Sequence, residues 1–201
     1  MQLYSSPTTP FGRKVAILII EAGLQDRVAI ATVSGTPLDP GTLPIDRNPL
    51  GKIPALILND GRAIYDSRVI CRYLDAQSGA GLYPKDDSLW DVLTLEATAD
   101  GILEAALLMV YENRIRPEDK RFEPWVDGQW SKITRALDAL ETQWQGLLNG
   151  PLTAAHIAVA CALGYVDFRH QTRDWRADRP KLATWSAQML QRASVLATLP
   201  V

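Results

Sequence analysis

The feature that most constrains this chain is a proline at the head of a strand. Pro54 stands immediately before the apolar run Ala55 to Leu58, at the end of the block Asn48-Pro49-Leu50-Gly51-Lys52-Ile53-Pro54. Proline has no N–H to give to a sheet ladder, so within sheets it is confined to a strand's first residue or to an edge. X-Pro is also the one bond type for which cis comes at low free energy. A cis Ile53-Pro54 bond is therefore predicted, with the N–H and C=O of Ile53 turned toward an extended peptide ligand. Shortly downstream, Tyr65-Asp66-Ser67 opens a helix predicted over 66–77, whose free N–H groups and positive dipole end suit a carboxylate. A peptide with an acidic end fits both features.

The rest of the first part alternates strand and helix. Gln2 to Ser5 reads as a strand, Phe11 to Ala22 as a helix stopped by Gly23, and Arg27 to Val33 as a second strand. A Pro/Gly-rich loop over 34–49 leads into a hairpin, Ala55 to Leu58 and Ala63 to Tyr65, joined through Asn59-Asp60-Gly61, where Asp-Gly is the common turn pair. The order β-α-β-loop-β-β-α is that of a thioredoxin-like domain. Residues 78–87, small, polar and Pro/Gly-containing, read as a linker. Beyond it no strand alternation remains, and all six tryptophans lie there. Apolar residues from Leu89 to Val110 recur at steps of three and four, predicting one long helix that ends before Pro117. A second is predicted over 123–148, a third over 154–168 behind a Thr153 cap, and a fourth from Pro180. The expected fold is α/β plus all-α: a thioredoxin-like domain (1–77), a linker (78–87) and a helical bundle (88–201).

Composition excludes several classes. A formal net charge of −2 supplies no basic field for nucleic acid. The longest apolar run, Val15 to Ile20, is far short of the roughly 20 residues of a membrane span. The N-terminus carries no secretory pattern, and Cys71 and Cys161 share no metal-ligand or C-x-x-C spacing, so both read as core residues of a cytoplasmic protein. No metal is implied.

The ordered set of Tyr4-Ser5-Ser6-Pro7-Thr8-Thr9-Pro10-Phe11-Gly12-Arg13-Lys14-Val15, the Asn48 to Pro54 block, Asp66-Ser67, Thr153-Ala154-Ala155-His156-Ile157-Ala158-Val159-Ala160 and Asp178-Arg179-Pro180 resembles the bacterial glutathione S-transferases, along essentially the whole chain. The resemblance implies glutathione as co-substrate, activated as thiolate and conjugated to a hydrophobic electrophile in detoxification, by a homodimer. It places Thr9 where relatives hold the hydroxyl or thiol that supports the glutathione sulfur, and gives Lys52, Ile53, Pro54, Asp66, Ser67 and Phe11 to ligand binding. Leu107, Leu108, Tyr111 and Arg114 of the first bundle helix become candidates for the electrophile pocket. A hydroxyl donating to S⁻ near a helix N-terminus stabilises the charged form, which is the nucleophile.

Other readings stand beside these. Ser6, Thr8 and Ser5 lie close enough to replace Thr9 at the sulfur. Thr9-Pro10 is also a helix cap followed by proline at the first helical position. Threonine departs from the commoner serine or cysteine, and its methyl either hinders the sulfur or pre-orients the hydroxyl. His156 stands where relatives usually carry an aspartate and is expected to accept a bond at the Thr153 cap. A peroxidase, isomerase or dehalogenase reaction on the same scaffold, or a glutathione-binding protein without turnover, are the alternatives.

Overall fold

The computed structural model describes residues 1–200. They fall into two compact units: residues 1–83 together with those from 193 on, and residues 84–192.

The first unit is built on a four-stranded mixed sheet in the order β2-β1-β3-β4, formed by β1 (Gln2–Ser5), β2 (Ala29–Thr32), β3 (Ala55–Ile57) and β4 (Ala63–Ile64). β1 pairs parallel with β2 and antiparallel with β3, Leu3 facing Leu56 and Tyr4 facing Ala55, and β3 pairs antiparallel with β4. Leu3 and Leu56 are fully buried at the centre. Helix α1 (Pro10–Glu21) starts on its proline, where a missing N–H costs nothing. Helix α2 (Ser67–Ser78) begins one residue after its predicted start because Asp66 is its N-cap, and ends at Gly79 in the left-handed region, which glycine enters without a Cβ penalty. The strand expected over 27–33 is shorter, since the Arg27 and Val28 N–H groups bond back to the Leu24 carbonyl in a helix-like turn.

The segment expected as a linker is partly anchored. Leu82 and Tyr83 are buried, and their N–H groups donate to the Asp75 carboxylate of α2 at 2.8 and 3.3 Å. A short helix, α8 (Ala193–Leu196), expected with the bundle, packs instead on α1. There Arg13 donates to the Val195 carbonyl at 3.2 Å and Ser194 donates to Glu21.

The second unit is all helical: α3 (Ser88–Arg114), α4 (Glu123–Thr142), α5 (Gln145–Leu148), α6 (Ala154–Arg169) and α7 (Pro180–Met189). The helix expected over 123–148 is thus broken at Trp144. Helix α6 is buried along most of its length and packs against α3. Thr153 caps it as expected: its N–H donates to His156 Nδ1 at 3.1 Å. Trp175 and Trp185 are buried, three others are half-buried, and Trp90 is exposed. Both cysteines are buried. Among the described residues no helix is long and apolar enough to cross a membrane.

Candidate functional site

Sheet register gathers the predicted site segments of the first unit. β1 and β3 are antiparallel with Tyr4 opposite Ala55, so the end of β1, which leads to Thr9, lies beside the start of β3 at Pro54. β4 runs antiparallel to β3 with Ile64 opposite Leu56, so Tyr65-Asp66-Ser67 leaves the sheet at that same end. Three segments distant in sequence therefore converge, together with the N-termini of α1 and α2.

Thr9 is the N-cap residue of α1, with φ −82° and ψ 121°, yet its side chain makes no capping hydrogen bond. The position is that of a cap, while the hydroxyl is uncommitted to capping. Its Cγ2 methyl faces Gly12, where an added Cβ would stand 2.6 Å from it, and Ser5 Oγ crowds the same point. Of the other hydroxyls, Ser5 is buried, Thr8 is exposed, and Ser6 Oγ and Thr8 Oγ1 lie 3.4 Å apart. The Arg13 N–H bonds to the Thr9 carbonyl. The Phe11 and Gly12 N–H groups lie ahead of the first helical acceptor and add positive potential at this end. Phe11 itself is half-buried in the first turn.

The Ile53-Pro54 peptide is cis, as expected, and Tyr65-Asp66 is cis as well. Pro54 is buried, Ile53 half-buried and Lys52 exposed. The loop carrying them is held from within by Asn48, which is 1% exposed. Asn48 donates from Nδ2 to the Lys52 carbonyl at 2.7 Å and accepts from the Leu50 N–H at 3.1 Å. Asn48 thus orients the Lys52-Ile53 backbone, a role that its place in the motif suggested only as part of the block.

Asp66 accepts from the Arg68 N–H at 2.9 Å, so capping is part of its work. Its other carboxylate oxygen pairs with the Arg68 guanidinium at 2.9 Å, a partner not foreseen from sequence. Partial burial pushes its pKa up, but the Arg68 hydrogen bond and charge, with the Arg68 and Val69 N–H groups, outweigh it and hold the carboxyl below the ordinary range. Asp66 is exposed and ionised, with lone pairs left for an ammonium. Ser67 is buried at the first position of α2.

On α3 of the second unit, Leu107 and Tyr111 are half-buried while Leu108 and Arg114 are exposed. Tyr165 of α6 lies within electrostatic reach of Tyr111 and Arg114, a proximity between helices far apart in sequence that no local pattern signals.

Models of known families match both units: residues 8–77 match the glutathione S-transferase N-terminal domain, and residues 123–188 match the C-terminal domain. The chain belongs to the glutathione S-transferase family. The uncharacterized GST-like protein YibF of Escherichia coli K12 is 36% identical over 208 residues, covering 100% of this chain and 98% of that protein. A glutathione transferase family member from Pseudomonas fluorescens Pf-5, solved with bound glutathione, is 46% identical with a TM-score of 0.97, covering 100% of this chain and 98% of that one. The structure of a P. fluorescens Pf-5 family member with bound S-(propanoic acid)-glutathione is likewise 46% identical, with a TM-score of 0.93 and 100% of both chains covered. A glutathione S-transferase from Methylobacillus flagellatus KT with glutathione bound is 38% identical, with a TM-score of 0.89, covering 100% of this chain and 99% of that one. Glutathione as co-substrate is consistent with these relatives.

Proposed function

We propose that this protein is a glutathione S-transferase that activates the glutathione thiol with the Thr9 hydroxyl and conjugates it to an electrophile with an apolar body. The observation that carries this reading is the uncommitted Thr9 hydroxyl at the N-terminus of α1, its methyl turned onto Gly12. A hydroxyl held in this way donates to S⁻, and the helix N-terminus adds to the stabilisation. Glutathione would lie along the Lys52-Ile53-Pro54 backbone, its γ-glutamyl carboxylate at the Ser67 end of α2 and its ammonium at Asp66. Lys52 would meet the carboxylate at the other end, and Phe11 would border the sulfur. A conjugate with an acid tail, as held by the P. fluorescens relative, belongs among the products expected here.

Retention on immobilised glutathione together with conjugation of a chlorinated dinitrobenzene tests the reading. Retention without conjugation would favour a binding protein, and absence of both would refute it. We further propose that the protein works in the cytoplasm as a two-fold dimer, the partner copy covering exposed apolar side chains such as Val69 on α2 and Trp90 on α3. Light scattering at micromolar concentration should give about twice the chain mass of 22.2 kDa; the mass of one chain would contradict this.

A further inference from the structure

One side chain holds the loop that leads into β3. Asn48 is 1% exposed, although Asp46, Arg47, Pro49 and Leu50 on either side of it are exposed. Its N–H donates to the Pro44 carbonyl at 2.8 Å, and its own carbonyl accepts from the Gly51 N–H at 2.9 Å. Asn48-Pro49-Leu50-Gly51 is thus a four-residue turn with asparagine first, proline second and glycine last, the residues such turns favour.

A turn of this kind uses only the acceptor arm of the asparagine. Oδ1 takes the Leu50 N–H at 3.1 Å, a bond that aspartate or serine at the same place also makes. The other arm reaches past the turn. Nδ2 donates to the Lys52 carbonyl at 2.7 Å, and an amide side chain supplies that donor beside the acceptor without any change of protonation. Lys52-Ile53 is not among the cis peptides, and in a planar trans peptide the C=O and N–H point in opposite directions. With the Lys52 carbonyl drawn onto buried Asn48, the Ile53 N–H is turned away from it. Among the described residues that N–H has no hydrogen-bond partner. A free donor therefore stands at the end of the sheet where β1, β3 and the start of α2 converge, all within the first unit.

We propose that Asn48 is a positioning residue for glutathione: through the Lys52 carbonyl it fixes the direction of the Ile53 N–H, which donates to a carbonyl of the bound tripeptide. The assignment rests on the transferase reading above and adds to it a residue that sets how tightly the co-substrate is held. Without the Nδ2 bond the Lys52-Ile53 peptide is less constrained, and binding has to order it.

Calorimetric titration of the full chain with reduced glutathione at pH 7 and pH 5 tests the proposal. Asn48→Asp keeps the acceptor for Leu50 and faces the Lys52 carbonyl with an oxygen, so at pH 7 it should bind glutathione about tenfold more weakly than the parent. A carboxyl buried beside a carbonyl titrates above the ordinary aspartate value of about 3.9. At pH 5 its O–H should donate to Lys52 and narrow the gap to the parent, while Asn48→Ala should stay weak at both pH values. Comparison with the parent at each pH cancels the titration of glutathione and of the exposed Asp46, Arg47 and Lys52, which all the proteins share. Equal affinity of Asn48→Asp and parent at pH 7, or a deficit that is the same at both pH values, would overturn the role and leave the transferase reading standing. Should Asn48→Asp not fold, amide NMR of the unmodified chain decides: saturating glutathione should shift the Ile53 N–H and slow its exchange, and an Ile53 N–H left unchanged would overturn the role. Failure of the unmodified chain to bind glutathione would overturn the transferase reading, and this assignment with it.

Discussion

The methyl group of Thr9 and the Cα of Gly12 are in such close register that a Cβ on Gly12 would stand 2.6 Å from the methyl. A threonine side chain has little χ1 freedom, so this contact sets where its hydroxyl points. The methyl therefore acts as an orienting contact within the first unit. Gly12→Ala should force Ser5 and Thr9 to move, lowering stability by about 1 to 3 kcal/mol and conjugation rate together. Urea unfolding and turnover measure both, and a variant as stable and active as the parent would show that the contact positions nothing.

Ser67→Ala is expected to weaken glutathione binding by about 1.5 to 3 kcal/mol, the scale of a hydrogen bond to a charged group. Asp66→Ala should weaken it at least as much, and should also lower stability by about 0.5 to 2 kcal/mol through loss of the α2 cap. Calorimetry showing unchanged affinity in both variants would remove the γ-glutamyl end from this helix.

His156 gives a pH dependence. Burial, aided by the charge of Arg192, lowers its pKa, and the Leu148 and Leu147 backbone draws it only partly back. Nε2 itself has no hydrogen-bond partner of good geometry. A folded pKa below the unfolded one means that the stability from neutral His156 is full above the ordinary imidazole pKa, about 6.5, and is lost as pH falls through the folded value. His170 is shifted in the same direction by burial, offset in part by the Ala106 carbonyl. His156→Asp should keep the acceptor for Thr153 and flatten the fall in stability as pH drops below about 6.5, leaving the share of His170. His156→Ala should cost about 1 to 3 kcal/mol by stranding the Thr153 N–H. An undiminished acid-side slope in His156→Asp would disprove the assignment.

Much of the fold was legible because its signals are local. Pro10 and Gly23 bracket α1, Pro54 opens β3, and Asp66 with Gly79 bracket α2, each through its own backbone chemistry. The break at Trp144 was hidden, since Gln143, Trp144 and Gln145 are all compatible with a helix and nothing in the chain announces the stop. The return of α8 to α1 depends on Arg13 reaching Val195, a contact no periodicity encodes. The same holds at the site. Segments ending in Thr9, Pro54 and Asp66 could be read from motif residues, whereas the Asp66–Arg68 pair and the clasp of Asn48 on Lys52 required the fold.

The central claim is that Thr9 donates a hydrogen bond to the glutathione thiolate, and the absorbance of that thiolate against pH tests it most directly. Thr9→Ala should raise the thiol pKa of the bound co-substrate by roughly one to two units, with glutathione affinity nearly intact, since the remaining contacts are proposed at Lys52 to Pro54 and Asp66-Ser67. Thr9→Ser, which keeps the donor, should leave the titration close to that of the parent. An unchanged titration in Thr9→Ala, with the upward shift appearing in Ser6→Ala or Thr8→Ala instead, would contradict the account.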